Sequence, residues 1–284
     1  MCGICGFIQT QDQGLDARSI LQDMCRTIQH RGPDDEGHYL QDNAALGARR
    51  LSIIDVEGGH QPISNEDGSV GIAHNGEVYN FPQLREKLLA AGHIFKSRTD
   101  TETVLHSYEE WGLDFANKLR GMFASAIWDS RRKRLVVIRD RLGIKPLYYT
   151  QLPDRSLVFG SELKAILAHP QVQARLEPRA LDFFLTLEYI PAPYSIFKNI
   201  FKLPAGHILV FENGKVQVDR YWTLPLPQSH REKIRTQDIP ALKDELYSLL
   251  KESVKLRMIS DVPLGAFLSG GIDSSCIVGL RREL

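Results

Sequence analysis

Asn213-Gly214 lies between two alternating apolar runs, 207–211 and 215–218. Type I′ turns favour Asn-Gly because both central residues take positive φ, so this pair commits the chain to an antiparallel hairpin. Upstream, Phe123 to Trp128 and Leu135 to Ile138 flank a second turn, Arg131-Arg132-Lys133-Arg134. Four basic residues could form a polyanion patch, but a charged hairpin tip that protects a β edge is the better reading. Pro146-Leu147-Tyr148-Tyr149 and Leu157-Val158-Phe159 continue the β pattern, and further strands are predicted over 3–9, 44–54 and 69–75. Leu15, Ile20, Leu21, Met24 and Ile28 mark one helix face. Asn80 with Gln83 reads as a capping box for a helix stopped by Gly92, and another helix spans 101–111 before Gly112. His30 to Gly37 reads as a loop, and 161–168 and 178–186 as helices. The layout is α+β with many antiparallel strands.

The pattern changes near 224–240, where Leu-Pro-Leu-Pro-Gln-Ser-His and a polar run read as a linker. Ile239, Leu242, Leu246, Leu249, Leu250 and Val254 then mark an amphipathic helix. A predicted strand, Leu264 to Leu268, leads through a Gly-rich loop to a short helix. A parallel sheet needs more strands and crossovers than this single βα unit, so the chain is expected to stop inside its second domain. Lys plus Arg and Asp plus Glu both number 35, a balance that points to no nucleic-acid or membrane surface. No apolar run approaches the ~20 residues of a spanning helix, and no signal-peptide pattern opens the chain. Four cysteines fit a reducing cytoplasm, the expected location.

Cys2 follows Met1 directly. Removal of Met1 would leave one residue with both a thiol and an α-amine, a nucleophile beside its own base. The amine's reference pKa of about 7.7–8.0 leaves part of it unprotonated near neutral pH. Cys2-x-x-Cys5 also has the spacing of a redox pair or half a zinc site, but its setting looks like a strand, and Cys25 and Cys276 do not complete a short-spaced ligand set. No metal site is expected. At the other end, Ser269-Gly270-Gly271-Ile272-Asp273-Ser274-Ser275 opens a helix. Glycines and helix N-terminal N–H groups suit a phosphate, although the loop could simply cap the helix, and it lacks the Lys of a Walker A motif.

Six segments occur in order: Cys2-Gly3-Ile4, His30 to Asp34, Arg50 to Asp55, Asn75-Gly76-Glu77-Val78-Tyr79-Asn80, Arg98 to Glu102, and Arg139 to Tyr149. Together with the Ser269–Ser275 loop, they resemble the glutamine-hydrolysing asparagine synthetase family over essentially the whole chain. The resemblance implies an N-terminal-nucleophile sandwich of antiparallel sheets flanked by helices, forming a class II glutamine amidotransferase domain over 1–223. A linker over 224–237 and the truncated start of an α/β parallel-sheet ATP-pyrophosphatase domain over 238–284 would follow.

The resemblance also implies roles. Cys2 would attack the glutamine amide, and Asn75 with the Gly76 N–H would form an oxyanion hole. Arg50 would pair with the α-carboxylate, a task suited to a forked guanidinium. Glu77 and Asp100 would hold the ammonium and amide region, and the backbone of Leu51, Ser52, Ile53 and Ile54 would line the pocket. Without the resemblance, Asn75-Gly76 could be an ordinary turn and Arg50 a surface charge. Arg31 and Asp34 are expected to order the loop over the nucleophile, and 140–146 to shape a turn. Leu268, Ser269, Gly270, Gly271, Asp273, Ser274 and Ser275 would contact ATP, accompanied by Mg²⁺. The implied small-molecule substrates are glutamine, aspartate and ATP, and a homodimer is compatible with the family. The chain as given is expected to hydrolyse glutamine but not to make asparagine. Arg139–Tyr149 and Val262–Leu268 equally resemble amidotransferases of exopolysaccharide and exosortase-associated clusters, which leaves the acceptor open. A stand-alone amidohydrolase of the same fold is the other reading.

Overall fold

The computed structural model describes residues 1–10, 14–225 and 238–284, which divide into two compact units, Met1–Thr223 and Leu224–Leu284. The linker reading over 224–237 lies, apart from Leu224 and Pro225, outside the described residues.

The first unit opens with β1 (Gly3–Ile8), α1 (Ala17–Thr27), β2 (Asp35–Gln41) and β3 (Ala44–Arg50). Next come β4 (Ile63–Ser64), β5 (Val70–Val78), α2 (Phe81–Ala90), α3 (Asp100–Trp111) and α4 (Phe115–Lys118). They are followed by β6 (Gly121–Asp129), β7 (Arg134–Arg139), β8 (Tyr148–Gln151), β9 (Leu157–Gly160), α5 (Leu163–Leu167) and α6 (Pro178–Leu187). β10 (Phe201–Lys202), β11 (His207–Glu212) and β12 (Lys215–Arg220) complete the unit. The strands form two antiparallel sheets, ordered β10-β8-β9-β1-β3-β2 and β12-β11-β7-β6-β5-β4.

Three apolar clusters define the layers. Ile4, Leu46 and Phe159 of the first sheet pack with Ala126, Trp128 and Val137 of the second, so the sheets lie face to face. Leu21, Met24 and Ile166 cover the outer face of the first sheet, and Leu84, Leu105 and Phe115 that of the second. The result is a four-layer αββα sandwich. Every residue of β1 is buried, as expected of a strand covered on both faces. Gly47, opposite Cys5 in the β1–β3 register, has no room for a side chain, because a Cβ there would sit 2.5 Å from Cys25 Sγ.

Most predicted elements are present, and Asn213 and Gly214 have φ of 52° and 69°, the signature of the predicted I′ turn. Four readings are corrected, and three short elements are added. Residues 35–41 form β2, not a loop. This strand is a polar, partly exposed sheet edge and so lacks the apolar alternation of a core strand. The strand predicted over 44–54 ends at Arg50, where residues 51–54 turn aside to line a pocket. Asn80 precedes α2 but makes no side-chain cap; its amide instead bridges to Lys118 O and the Arg120 N–H. The short β4, β10 and α4 were not foreseen. Finally, residues 264–268 are not a strand.

That last correction belongs to the second unit, which contains α7 (Ile239–Leu256) and α8 (Ile272–Arg282). A strand exists through its ladder, and residues 264–268 have no neighbouring strand among the described residues. Phe267 and Ile272 are 102% and 89% exposed.

Candidate active site

β1 begins one residue after Cys2, so the central strand of the first sheet anchors the thiol. Cys2 Sγ accepts the Leu51 N–H at 3.3 Å, and the thiol contacts Leu51 O at 3.6 Å. Arg31 Nε donates to Cys2 O at 2.9 Å while its Nη1 pairs with Glu162 at 3.0 Å. Asp34 accepts the Ser52 N–H at 2.9 Å, so Arg31 and Asp34 both hold backbone around the thiol. Burial pushes the Cys2 thiol above its ordinary pKa, against opposing effects of the Leu51 N–H and the N-terminal ammonium. Attack by a thiol held protonated in this way calls for a base.

Cys2 shares one cavity with Arg50 at the end of β3, Gly76 and Glu77 on β5, and Asp100 at the start of α3. Leu51, Ile53 and Ile54 line it as expected, whereas Ser52 is not among the lining residues. The cavity has room for about 20 Å³, roughly one water, in this conformation. A roomier cleft of about 490 Å³, lined in part by Thr10, Lys133 and Asn213, lies at the opposite end of β1 and has no cysteine or histidine in its lining.

Gly76 is required where it stands: its φ is +155°, and a Cβ would meet Met122 O at 2.1 Å. Asn75, its neighbour on β5, is fully buried, and neither Oδ1 nor Nδ2 has a hydrogen-bond partner. Leaving such groups unpaired costs about 1–3 kcal/mol each, which marks the amide as one awaiting a partner. Arg50 is engaged within the chain. Its guanidinium donates to Ile54 O and Asp55 O at 2.8 Å each and to Val56 O at 3.1 Å. Pairing with a ligand carboxylate therefore requires exchange of at least one of these bonds.

Asp100 sits in the first turn of α3, where a carboxylate is favoured, and Oδ2 accepts the Val78 N–H at 2.8 Å. Burial and the Asp100 charge push Glu77 up to about 8, against the opposing charges of Lys145 and Arg50. Lys145 is itself 4% exposed and lowered by burial. Its charge acts on both Cys2 and Glu77. The Asp140 carboxylate fixes this lysine's loop by accepting N–H groups of Phe123, Leu142, Ile144 and Lys145. Residues 140–146 thus form a built turn, as expected, and also deliver a cation that was not foreseen.

Gly59, Gln61, Thr99 and Thr101 also line the cavity without having been singled out. Gln61 Oε1 accepts the His74 N–H at 2.8 Å, and Gln61 Nε2 donates to Thr101 Oγ1 at 3.2 Å. Thr99 and Thr101 flank Asp100 within a segment already notable in the sequence; Gly59 and Gln61 carry no comparable local signal.

In the second unit, the residues from Leu268 to Ser275 stay together as an exposed loop that opens α8. Gly270 has φ +84° and Gly271 is the N-cap. Ser269 Oγ and Ser274 Oγ are 2.9 Å apart, and Ser274 Oγ donates to Gly271 O at 3.1 Å. The Gly271 N–H donates to Ser269 Oγ at 3.4 Å, and a Cβ on Gly271 would meet only that same oxygen, at 3.5 Å. Hydroxyls and a helix N-terminus fit a phosphate group.

The four-layer sandwich carries Cys2 directly before β1, a central strand of its first sheet. Its architecture resembles the glutamine phosphoribosylpyrophosphate amidotransferase of B. subtilis, solved with ADP and GMP. That likeness has a TM-score of 0.57 at 18% identity over 100% of this chain and 64% of that one. An allosteric regulatory enzyme of purine biosynthesis aligns with TM-score 0.56 at 20% identity, over 78% of this chain and 50% of that chain. At these identities the likeness concerns the fold alone.

Residues 1–222 match the glutamine amidotransferase domain family, and the chain belongs to it. Residues 245–284 match the asparagine synthase family. Among sequence relatives, the glutamine-hydrolysing asparagine synthetase 3 of Bacillus subtilis (strain 168) is 38% identical over 99% of this chain and 45% of its own length. Amidase chry2 of Gibberella zeae is 34% identical over 100% of this chain and 43% of its own length. The chain thus spans less than half the length of these relatives. No described helix is long and apolar enough to cross a membrane.

Proposed function

We propose that Cys2, freed of Met1, hydrolyses glutamine to glutamate and ammonia as the amidotransferase half of an asparagine-synthetase-type enzyme. One observation carries this reading: the Cys2 thiol, bound to the Leu51 backbone, faces a cavity walled by Gly76, Glu77, Asp100 and Arg50. The α-amine of Cys2 takes the thiol proton. The thiolate attacks the side-chain carbonyl carbon of glutamine, and the negative charge on oxygen meets the Gly76 N–H and the unpaired Asn75 amide. The α-ammonium passes its proton to the departing nitrogen as the C–N bond breaks, ammonia leaves, and water then cleaves the γ-glutamyl thioester to glutamate and the free Cys2 thiol. Arg50 takes the substrate carboxylate by releasing carbonyls of the 54–56 segment, while Asp100 and Glu77 face its ammonium.

In the second unit, Leu268–Ser275 would hold ATP phosphates, with Mg²⁺ accompanying the nucleotide. The ammonia would serve an acceptor acid activated there, aspartate by family resemblance, giving asparagine, AMP and pyrophosphate. Light scattering tests whether the chain forms the homodimer that is compatible with the family.

A glutaminase assay with N-terminal mass analysis tests the central step. Wild type should release glutamate and start at Cys2, and Cys2→Ala should be inactive. Activity retained in Cys2→Ala, or an intact Met1 on active protein, overturns the mechanism. ATP-dependent pyrophosphate release by the full-length enzyme separates this reading from a simple amidohydrolase.

A further inference from the structure

Glu66, His93 and His106 converge outside the Cys2 cavity. Glu66 lies between β4 and β5, His93 just after α2, and His106 on α3. Each offers one metal-ligating atom, and these atoms all lie within 4.8 Å of one another. The His106 side chain is only 1% exposed, and its Nδ1 is 2.8 Å from Glu109 Oε2. Burial lowers the His106 pKa, but Glu102 and Glu109 outweigh it and push the ring up to about 9, so a metal ion at Nε2 has to displace a proton. Nε2 is buried and has no hydrogen-bond partner. Glu102 Oε1 lies 3.8 Å from Nε2, an ion-pair separation, and also accepts the Lys96 N–H at 2.7 Å.

The second histidine is oriented in the same manner. His93 Nε2 is 3.1 Å from Glu110 Oε2. The two rings lie 4.9 Å apart between centroids. Glu66 is exposed, and its Oε1 accepts the Ile94 N–H at 3.0 Å. Carboxylates behind two imidazoles are the outer shell that orients histidine ligands on a metal. Two nitrogens and one carboxylate oxygen suit Zn²⁺ at about 2.0–2.2 Å, with water in a fourth position. Drawing the ligands onto one ion requires movement of the exposed Glu66 and of His93, whose side chain is 15% exposed, toward His106.

We propose that Glu66, His93 and His106 form a Zn²⁺ site that ties the β4–β5 turn and the end of α2 to α3. Asp100 begins the same helix, so the ion would brace a wall of the Cys2 cavity from the far side without entering it.

The test uses the metal-stripped 284-residue chain titrated with ZnCl₂ and, separately, CoCl₂. One equivalent of Zn²⁺ should bind and raise Tm. Glu66→Ala and His93→Ala, each checked for native circular dichroism, should weaken binding at least about tenfold, while Cys25→Ser should leave it unchanged. The Co²⁺ adduct should show visible d–d bands with no thiolate charge-transfer band. Absence of a Zn²⁺-dependent Tm shift, an unaltered shift in both variants, or a thiolate band on Co²⁺ overturns the proposal.

Discussion

Asn75 carries an unusual burden for a buried residue: an amide that bonds to nothing in the folded chain. Its contribution to folding is therefore small, and its contribution to a developing oxyanion is large. Asn75→Ala should lower kcat by about 10²–10³-fold and leave the fold no less stable than wild type, because it removes two unpaired buried groups. Steady-state kinetics and thermal melts check the two halves. A large loss of stability with unchanged kcat would make Asn75 structural. Glu77 behaves differently. Its pKa of about 8 lies above its value in an unfolded chain, so the folded state binds the extra proton between these values and wild-type stability falls as pH rises across them. Glu77→Gln should therefore gain stability over wild type on going from pH 4 to pH 9. A Tm difference that does not vary with pH counts against this.

At the scale of elements, the β5–β6 pair places Gly76 opposite Phe123, with the Met122 carbonyl where a Cβ would go. Gly76→Ala should destabilise by about 2–4 kcal/mol, measured by denaturant melts. The start of α3 is held by Glu102, whose carboxylate accepts the Lys96 and Ser97 N–H groups and the Ser97 hydroxyl. Burial raises its pKa, but His106 and these donors outweigh burial and bring it down to about 2. A depressed carboxylate adds stability above its unfolded pKa and loses it as pH falls toward the folded value. Glu102→Gln should cost about 2 kcal/mol at pH 7, and the difference should vanish between pH 4.5 and 2. Hairpins and long helices were legible because turn chemistry and periodicity are local. The β2 edge was not, since Asp35-Glu36-Gly37-His38 pairs through backbone alone. Asn80 misled because its amide serves a distant carbonyl and N–H rather than its own helix.

For the whole molecule, the two units differ in how they dispose of apolar surface. The first buries Trp128, Phe123 and Phe159 between layers, whereas the second leaves Leu246, Phe267 and Ile272 exposed. Exposed apolar groups of this kind mark surface suited to a partner. A chain ending at Thr223 should keep glutaminase kcat/KM within about twofold, because every residue at the Cys2 cavity lies in the first unit. It should also bind less of a hydrophobic dye than the 284-residue chain. Loss of glutaminase on this truncation would make the second unit part of the glutamine site.

By itself, the sequence determined the antiparallel hairpins, the main helices, and the candidates Cys2, Arg50, Asn75, Gly76, Glu77 and Asp100. Those readings depend on local backbone preference and on short motifs. Only the tertiary structure decided that Arg50 is folded onto the 54–56 carbonyls, that Lys145 bears on Cys2, and that Asn75 is unpaired. It alone brought Glu66 and His93 to His106. These outcomes depend on which side chains meet across strands and helices distant in sequence, and on burial, which sets both the cost of an unpaired group and the direction of a pKa shift.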